Sequence, residues 1–150
     1  AFPFDAKGLL NASINDPNPV LFFEHKQLYR SVYQDVPTDY YTLPIGKAAL
    51  LREGTDVTVI SFGAAVHWAL ETLDKKTTIS ADVLDLRTLQ PLDTEAIFKS
   101  VIMEECFKYL DAPIKRVASL DTPIPFTKAL EDQYLPKGRF ESVLLDLIAY

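Results

Sequence analysis

The sequence predicts an α/β domain on a mostly parallel sheet, and three neighbouring stretches predict it. Val57-Thr58-Val59-Ile60-Ser61-Phe62 is β-branched and largely apolar, as a buried strand should be, and Gly63 closes it. Ala64 to Lys75 reads as a helix with Val66, Leu70 and Leu73 on one side, and Val83-Leu84-Asp85-Leu86 reads as the next strand. A strand, a helix and a strand with short connections are the crossover unit of a parallel sheet. With 150 residues and 48% hydrophobic content the chain can bury one core, so residues 1–150 are expected to form a single domain.

The remaining elements follow in order. Asp5 to Asn15 carries Leu9, Leu10 and Ile14 at near-helical spacing, and Asp16-Pro17-Asn18-Pro19 ends that helix. Val20-Leu21-Phe22-Phe23 is a short apolar run of the kind covered on both faces of a sheet. Tyr29 to Leu51, with Pro37, Pro44 and four tyrosines, reads as an ordered loop. Thr94 and Glu95 open a helix that cannot run on to Leu110 with one face. The apolar side of Ile102, Met103, Cys106, Phe107 and Leu110 is rotated by roughly 150° from that of Ile97, Phe98 and Val101. Ile114 to Ala118 reads as a further strand, and Phe126–Tyr134 and Phe140–Ala149 as two closing helices.

Charge and composition narrow the function. A net charge of −6, from 15 basic and 21 acidic side chains, argues against nucleic acid and anionic membrane and favours a basic partner. The lone Cys106 excludes an internal disulfide framework and points to a reducing compartment, with cytoplasm as the expectation. No apolar run approaches the roughly 20 residues of a membrane span, and AFPFDAKGLL lacks the marks of a leader peptide.

Chemistry-bearing residues are scarce. His25 follows a strand-like run and His67 sits beside Trp68, but neither has partners at ligand spacing, so both read as structural or surface histidines. Cys106 reads as a small core hydrophobe. Glu104-Glu105 and Glu131-Asp132 are adjacent, diverge on a helix and read as solvated faces. There is no GxGxxG and no P-loop among the five glycines. Ser61-Phe62-Gly63-Ala64 brings a strand end to a helix start, for which a tight turn is the simpler account than an anion site.

Several longer stretches carry a resemblance. These are Pro3-Phe4-Asp5-Ala6-Lys7-Gly8-Leu9-Leu10, Asp16-Pro17-Asn18-Pro19-Val20, Phe22-Phe23-Glu24-His25-Lys26 and Leu28-Tyr29-Arg30. Leu43-Pro44-Ile45-Gly46-Lys47-Ala48, the run from Asp85 to Asp93 (DLRTLQPLD), Leu110-Asp111-Ala112-Pro113 and Asp121-Thr122-Pro123-Ile124-Pro125-Phe126 continue it in order. Together they resemble the C-terminal domain of the β half of the thiamine-diphosphate-dependent 2-oxoacid dehydrogenase component. The wording is most like the branched-chain (2-oxoisovalerate) enzyme and is similar to forms in which α and β are fused.

That resemblance implies a transketolase C-terminal-type fold, a three-layer α/β/α domain on a mixed, mostly parallel sheet of about five strands, the first antiparallel. It implies an oxidoreductase that decarboxylates a 2-oxoacid and acylates a lipoyl group, inactive as this domain alone. Thiamine diphosphate and magnesium would lie on other domains, with no catalytic, cofactor or metal residue here. The implied role is subunit assembly: self-association, contact with the α half and the preceding β domain, and docking of the acyltransferase subunit-binding domain. Asp111 and the carboxylate of Tyr150 are the implied docking residues, and Arg87 is left without an assigned partner. Between Val101 and Ile102 the family carries a strand, a glycine-rich turn and the start of a helix that this sequence lacks. Either two pieces separated in the parent protein are run together here, which is the preferred reading, or the segment is truly lost. The alternatives are another thiamine-dependent enzyme, pyruvate dehydrogenase or transketolase-like, or a free-standing binding module of the same fold.

Overall fold

A computed structural model describes residues 1–101 and 112–150 of the chain. The element order is α1 (Pro3–Asn15), α2 (Leu28–Ser31), β1 (Ala49–Arg52), β2 (Val57–Ser61), α3 (Ala64–Lys75), β3 (Ala81–Asp85), α4 (Thr94–Val101), α5 (Lys128–Tyr134) and α6 (Lys137–Ile148). The strands form one mixed sheet in the order β1-β3-β2. β2 and β3 are parallel, in register from Val57 opposite Ala81 to Ser61 opposite Asp85. β1 runs antiparallel to β3, Ala49 opposite Asp85, with an irregularity between Leu50 and Arg52.

The two faces of the sheet follow from strand alternation. Val57, Val59, Ala81 and Val83 point to one side, where Leu73 of α3 and Leu144 of α6 close the core and Phe140 packs against it. Thr58, of opposite parity, donates its hydroxyl to the Ser100 carbonyl of α4 at 3.2 Å. Helices thus lie on both faces, and the class is the expected layered α/β. Two glycines permit the turns around β2. A Cβ at Gly54 would stand 2.2 Å from the Ala81 nitrogen, and Gly63 opens α3 at φ +58.

Several expectations are corrected. Among the described residues the sheet has three strands, not about five. Among the described residues Ile114–Ala118 forms no strand. Val20–Phe23 is likewise no strand, and it is not covered: Leu21 is 84% and Phe23 89% exposed. Conversely, the stretch read as a loop contains α2 and ends in β1. Ala49-Leu50-Leu51-Arg52 has helix-forming composition, and only its pairing with β3 makes it a strand. The second half of the helix after Thr94, with its displaced face, lies outside the described residues.

Leu73 has no solvent exposure and packs in the central cluster. Leu73→Ala is expected to cost about 2–5 kcal/mol, measured by urea unfolding.

Candidate functional site: a carboxylate clasp at the end of the sheet

The run from Asp85 to Asp93 leaves β3 at the end of the sheet where β1 enters and β2 leaves. Its first residue, Asp85, is fully buried. One carboxylate oxygen accepts the Arg87 backbone N–H at 3.0 Å and the other accepts from the Ala1 nitrogen at 3.2 Å. A buried carboxylate needs this, because uncompensated charge in a core is strongly unfavourable. Arg87 adopts φ 56, a left-handed conformation that costs a non-glycine residue roughly 1–2 kcal/mol. In that conformation its Nη2 donates to Asp5 Oδ1 at 2.6 Å, so the pair joins residues 82 positions apart and ties α1 to β3.

Other contacts complete the attachment of the first residues. The His67 ring lies 2.9 Å from the Ala1 carbonyl through Nε2 and 4.8 Å from the Phe2 ring. Lys7 donates to the carbonyls of Pro37, Thr38 and Asp39, and the Tyr41 hydroxyl donates to the Phe4 carbonyl at 2.8 Å. α1 and residues 37–43 therefore hold each other.

The far end of the run has its own carboxylate. Asp93 precedes α4 and accepts the Ala96 N–H at 3.1 Å, as an N-cap does. It also accepts the Ala48 N–H at 3.0 Å, so one side chain fixes both the start of α4 and the approach to β1. These two backbone donors, then the nearby Lys47 cation, hold the Asp93 carboxyl below its ordinary range. Between the ends, the Thr88 hydroxyl oxygen accepts the Gly46 N–H at 3.0 Å.

In this clasp the Asp5, Asp85, Arg87 and Asp93 side chains each join segments, and the buried Arg87 Nε has no hydrogen-bond partner among the described residues. Among the described residues no three His, Cys, Asp or Glu side chains come together to hold a metal ion. A cleft of about 150 Å³ beside β2 is walled by residues such as Val59, Trp68, Val117, Phe140 and Leu147. Its lining contains no carboxylate, histidine or thiol among the described residues.

The sequence-predicted positions are scattered. Asp111, Cys106 and Glu104-Glu105 lie outside the described residues. Tyr150 is 79% exposed just beyond α6. His25 is exposed, and its carbonyl accepts the Leu28 N–H at 2.9 Å. Glu131 and Asp132 are exposed on α5, with Asp132 3.6 Å from Lys128. Gly63 makes a tight strand-to-helix turn, as the plainer account had it. Arg87, unassigned from sequence, has Asp5 as its partner. Asp5, Asp85 and Asp93 were missed. Of these only Asp93 carried a signal, an acid directly before a helix start.

Two predictions follow from the clasp. Asp5→Ala and Arg87→Ala should each destabilise the chain by about 3–5 kcal/mol, and the double variant by clearly less than their sum, in a double-mutant cycle of urea melts. Because the Asp93 carboxyl is lowered in the folded state, its contribution is present above the ordinary aspartate range and is lost as pH falls through the folded value. Asp93→Asn should therefore be less stable than the parent at pH 7, with the gap closing as pH is lowered below about 4.

Comparisons with known proteins place this geometry. Residues 46–102 match the family model of the transketolase C-terminal domain. The chain is 44% identical to the 2-oxoisovalerate dehydrogenase subunit beta of Bacillus subtilis, across 89% of this chain and 49% of that protein. It is also 44% identical to the acetoin:2,6-dichlorophenolindophenol oxidoreductase subunit beta of the same organism, across 97% of this chain and 51% of that one. A third relative, the Bacillus subtilis pyruvate dehydrogenase E1 component subunit beta, is 43% identical across 91% and 50%. The chain thus spans about half the length of these relatives. Among solved structures, a split-gene transketolase described as an inactive beta4 tetramer superposes with a TM-score of 0.57 at 23% identity. That superposition covers 72% of this chain and 44% of the other, and it establishes the fold alone.

Proposed function

From the premise that the chain carries a transketolase C-terminal domain over residues 46–102, we propose that it is the non-catalytic C-terminal part of the β half of a 2-oxoacid dehydrogenase decarboxylating component. The observation that carries this reading is the 44% identity to a 2-oxoisovalerate dehydrogenase subunit beta across 89% of the chain. Its role is assembly: pairing with a second β copy, seating the preceding β domain and the α half, and docking the basic subunit-binding domain of the acyltransferase. The parent enzyme works in the cytoplasm. Among the described residues no helix is long and apolar enough to cross a membrane.

Thiamine diphosphate and magnesium belong to the rest of that enzyme, where the cofactor supplies the carbanion chemistry of decarboxylation. The described residues do not fit either group: they bring no metal-ligating cluster together, and the buried carboxylates are spent on backbone and arginine donors. No step of the reaction is assigned to this chain. Equal identity to the 2-oxoisovalerate and acetoin subunits supports a second reading, in which the substrate is not a branched-chain acid. In either case a further segment is placed between Val101 and Ile102 in the parent protein, where the apolar faces of the two flanking helical stretches disagree.

Docking is assigned to Asp111 and the Tyr150 carboxylate, on a chain whose net charge of −6 suits a basic partner. Isothermal titration with a purified acyltransferase subunit-binding domain should show binding that Asp111→Lys weakens roughly tenfold and that weakens as salt is raised. Absence of binding at low salt would remove the docking role.

A further inference from the structure

Three consecutive backbone carbonyls converge on one nitrogen beside α1. The Lys7 ammonium donates to the oxygens of Pro37, Thr38 and Asp39, the last two at 3.2 and 2.9 Å. Successive carbonyls of an extended chain point to opposite sides, so three can meet only where the backbone bends, as it does at Thr38 and Asp39. The remaining wall is the Tyr41 ring, whose centroid lies 5.1 Å from the same nitrogen, within cation–π reach. An alkylammonium carries three N–H donors and no acceptor, so three oxygens and an aromatic face match it group for group.

The cage has supports other than Lys7. The Tyr41 ring stacks on Phe4 at 4.8 Å, and its hydroxyl donates to the Phe4 carbonyl at 2.8 Å. Asn11 Nδ2 donates to the Tyr41 carbonyl at 2.9 Å, and the Leu43 N–H to the Gly8 carbonyl at 3.1 Å. Gly8 is buried so closely against this segment that a Cβ would stand 2.6 Å from Leu43 Cγ. These contacts fix α1 against residues 41–43 without the ammonium. Among the described residues no carboxylate lies within ion-pair distance of the Lys7 nitrogen. Within the cage the positive charge is met by carbonyl dipoles and an aromatic face, so shape and the number of N–H groups select the occupant rather than an opposite charge.

We infer that residues 37–39 and Tyr41 form a binding site for a primary ammonium, filled in this chain by Lys7 and open to a free alkylammonium ion once that side chain is shortened. Because other contacts hold the walls, little ordering is left to oppose a new occupant. The occupant ties the turn at 37–39 to α1, so its presence sets how firmly residues 16–36, which lie between the two, are rooted at their base.

The test is chemical rescue. Lys7→Ala removes three carbons and the nitrogen, which n-propylammonium replaces atom for atom. The variant should melt about 3–8 °C below the parent, and its Leu43 amide should exchange on the order of tenfold faster by NMR. n-Propylammonium chloride should restore both, saturating at about 1–100 mM, and should leave the parent unchanged. Tetramethylammonium chloride, equal in charge and without N–H, should not. A Lys7→Ala melt equal to the parent's would overturn the inference. So would a lack of rescue by n-propylammonium in a variant whose Val57–Ser61 amides stay protected. Equal rescue by tetramethylammonium or potassium chloride would overturn the ammonium class in favour of a site for any cation. Lys7→Met, which keeps the stem and lacks only the donor, guards against an alanine variant that does not fold. Ammonium chloride should raise its melting temperature above the value in equal sodium chloride, and equal values would overturn the inference.

Discussion

The buried carboxylate of Asp85 at the end of the central strand is the constraint around which the rest of this molecule is arranged. β3 lies between β1 and β2, so whatever leaves its end must satisfy a charge that water cannot reach. The chain answers with Arg87, bent into a left-handed conformation so that its N–H returns to Asp85 while its guanidinium reaches Asp5. One residue thereby joins the sheet to the first helix. The same run ends at Asp93, which fixes β1 and α4 together. A motif of nine residues that looks chemically rich is a fastener.

That economy explains the division of labour proposed for the chain. Buried aspartates and an arginine in one short run invite a catalytic reading, yet each holds segments in register. What the described residues leave unused is surface: an exposed apolar run near the start and exposed acids on the last two helices. Both suit a part that is held by, and holds, other protein.

The elements legible in the sequence are those whose signal is local. β2 and α3 were readable because β-branched alternation and a one-sided helical stripe are properties of a few consecutive residues. Asp93 could have been read as a cap for the same reason. β1 was not readable, because Ala-Leu-Leu-Arg becomes a strand only through β3, more than 30 residues later. Asp5 and Arg87 were not readable as a pair, because nothing local links positions 82 apart. Val20–Phe23 shows the opposite case: its local signal is strong, and the structure of this chain offers it no sheet.

The long reach of the Asp5–Arg87 pair also has a temporal side. On the ribosome, α1 emerges well before the arginine that anchors it, and at about 5–20 residues per second the 82 positions from Asp5 to Arg87 take roughly 4–16 s. Throughout that interval α1 lacks the arginine that ties it to the end of β3. The stretch from α1 to β3 is thus the part of these residues on which a chaperone would act.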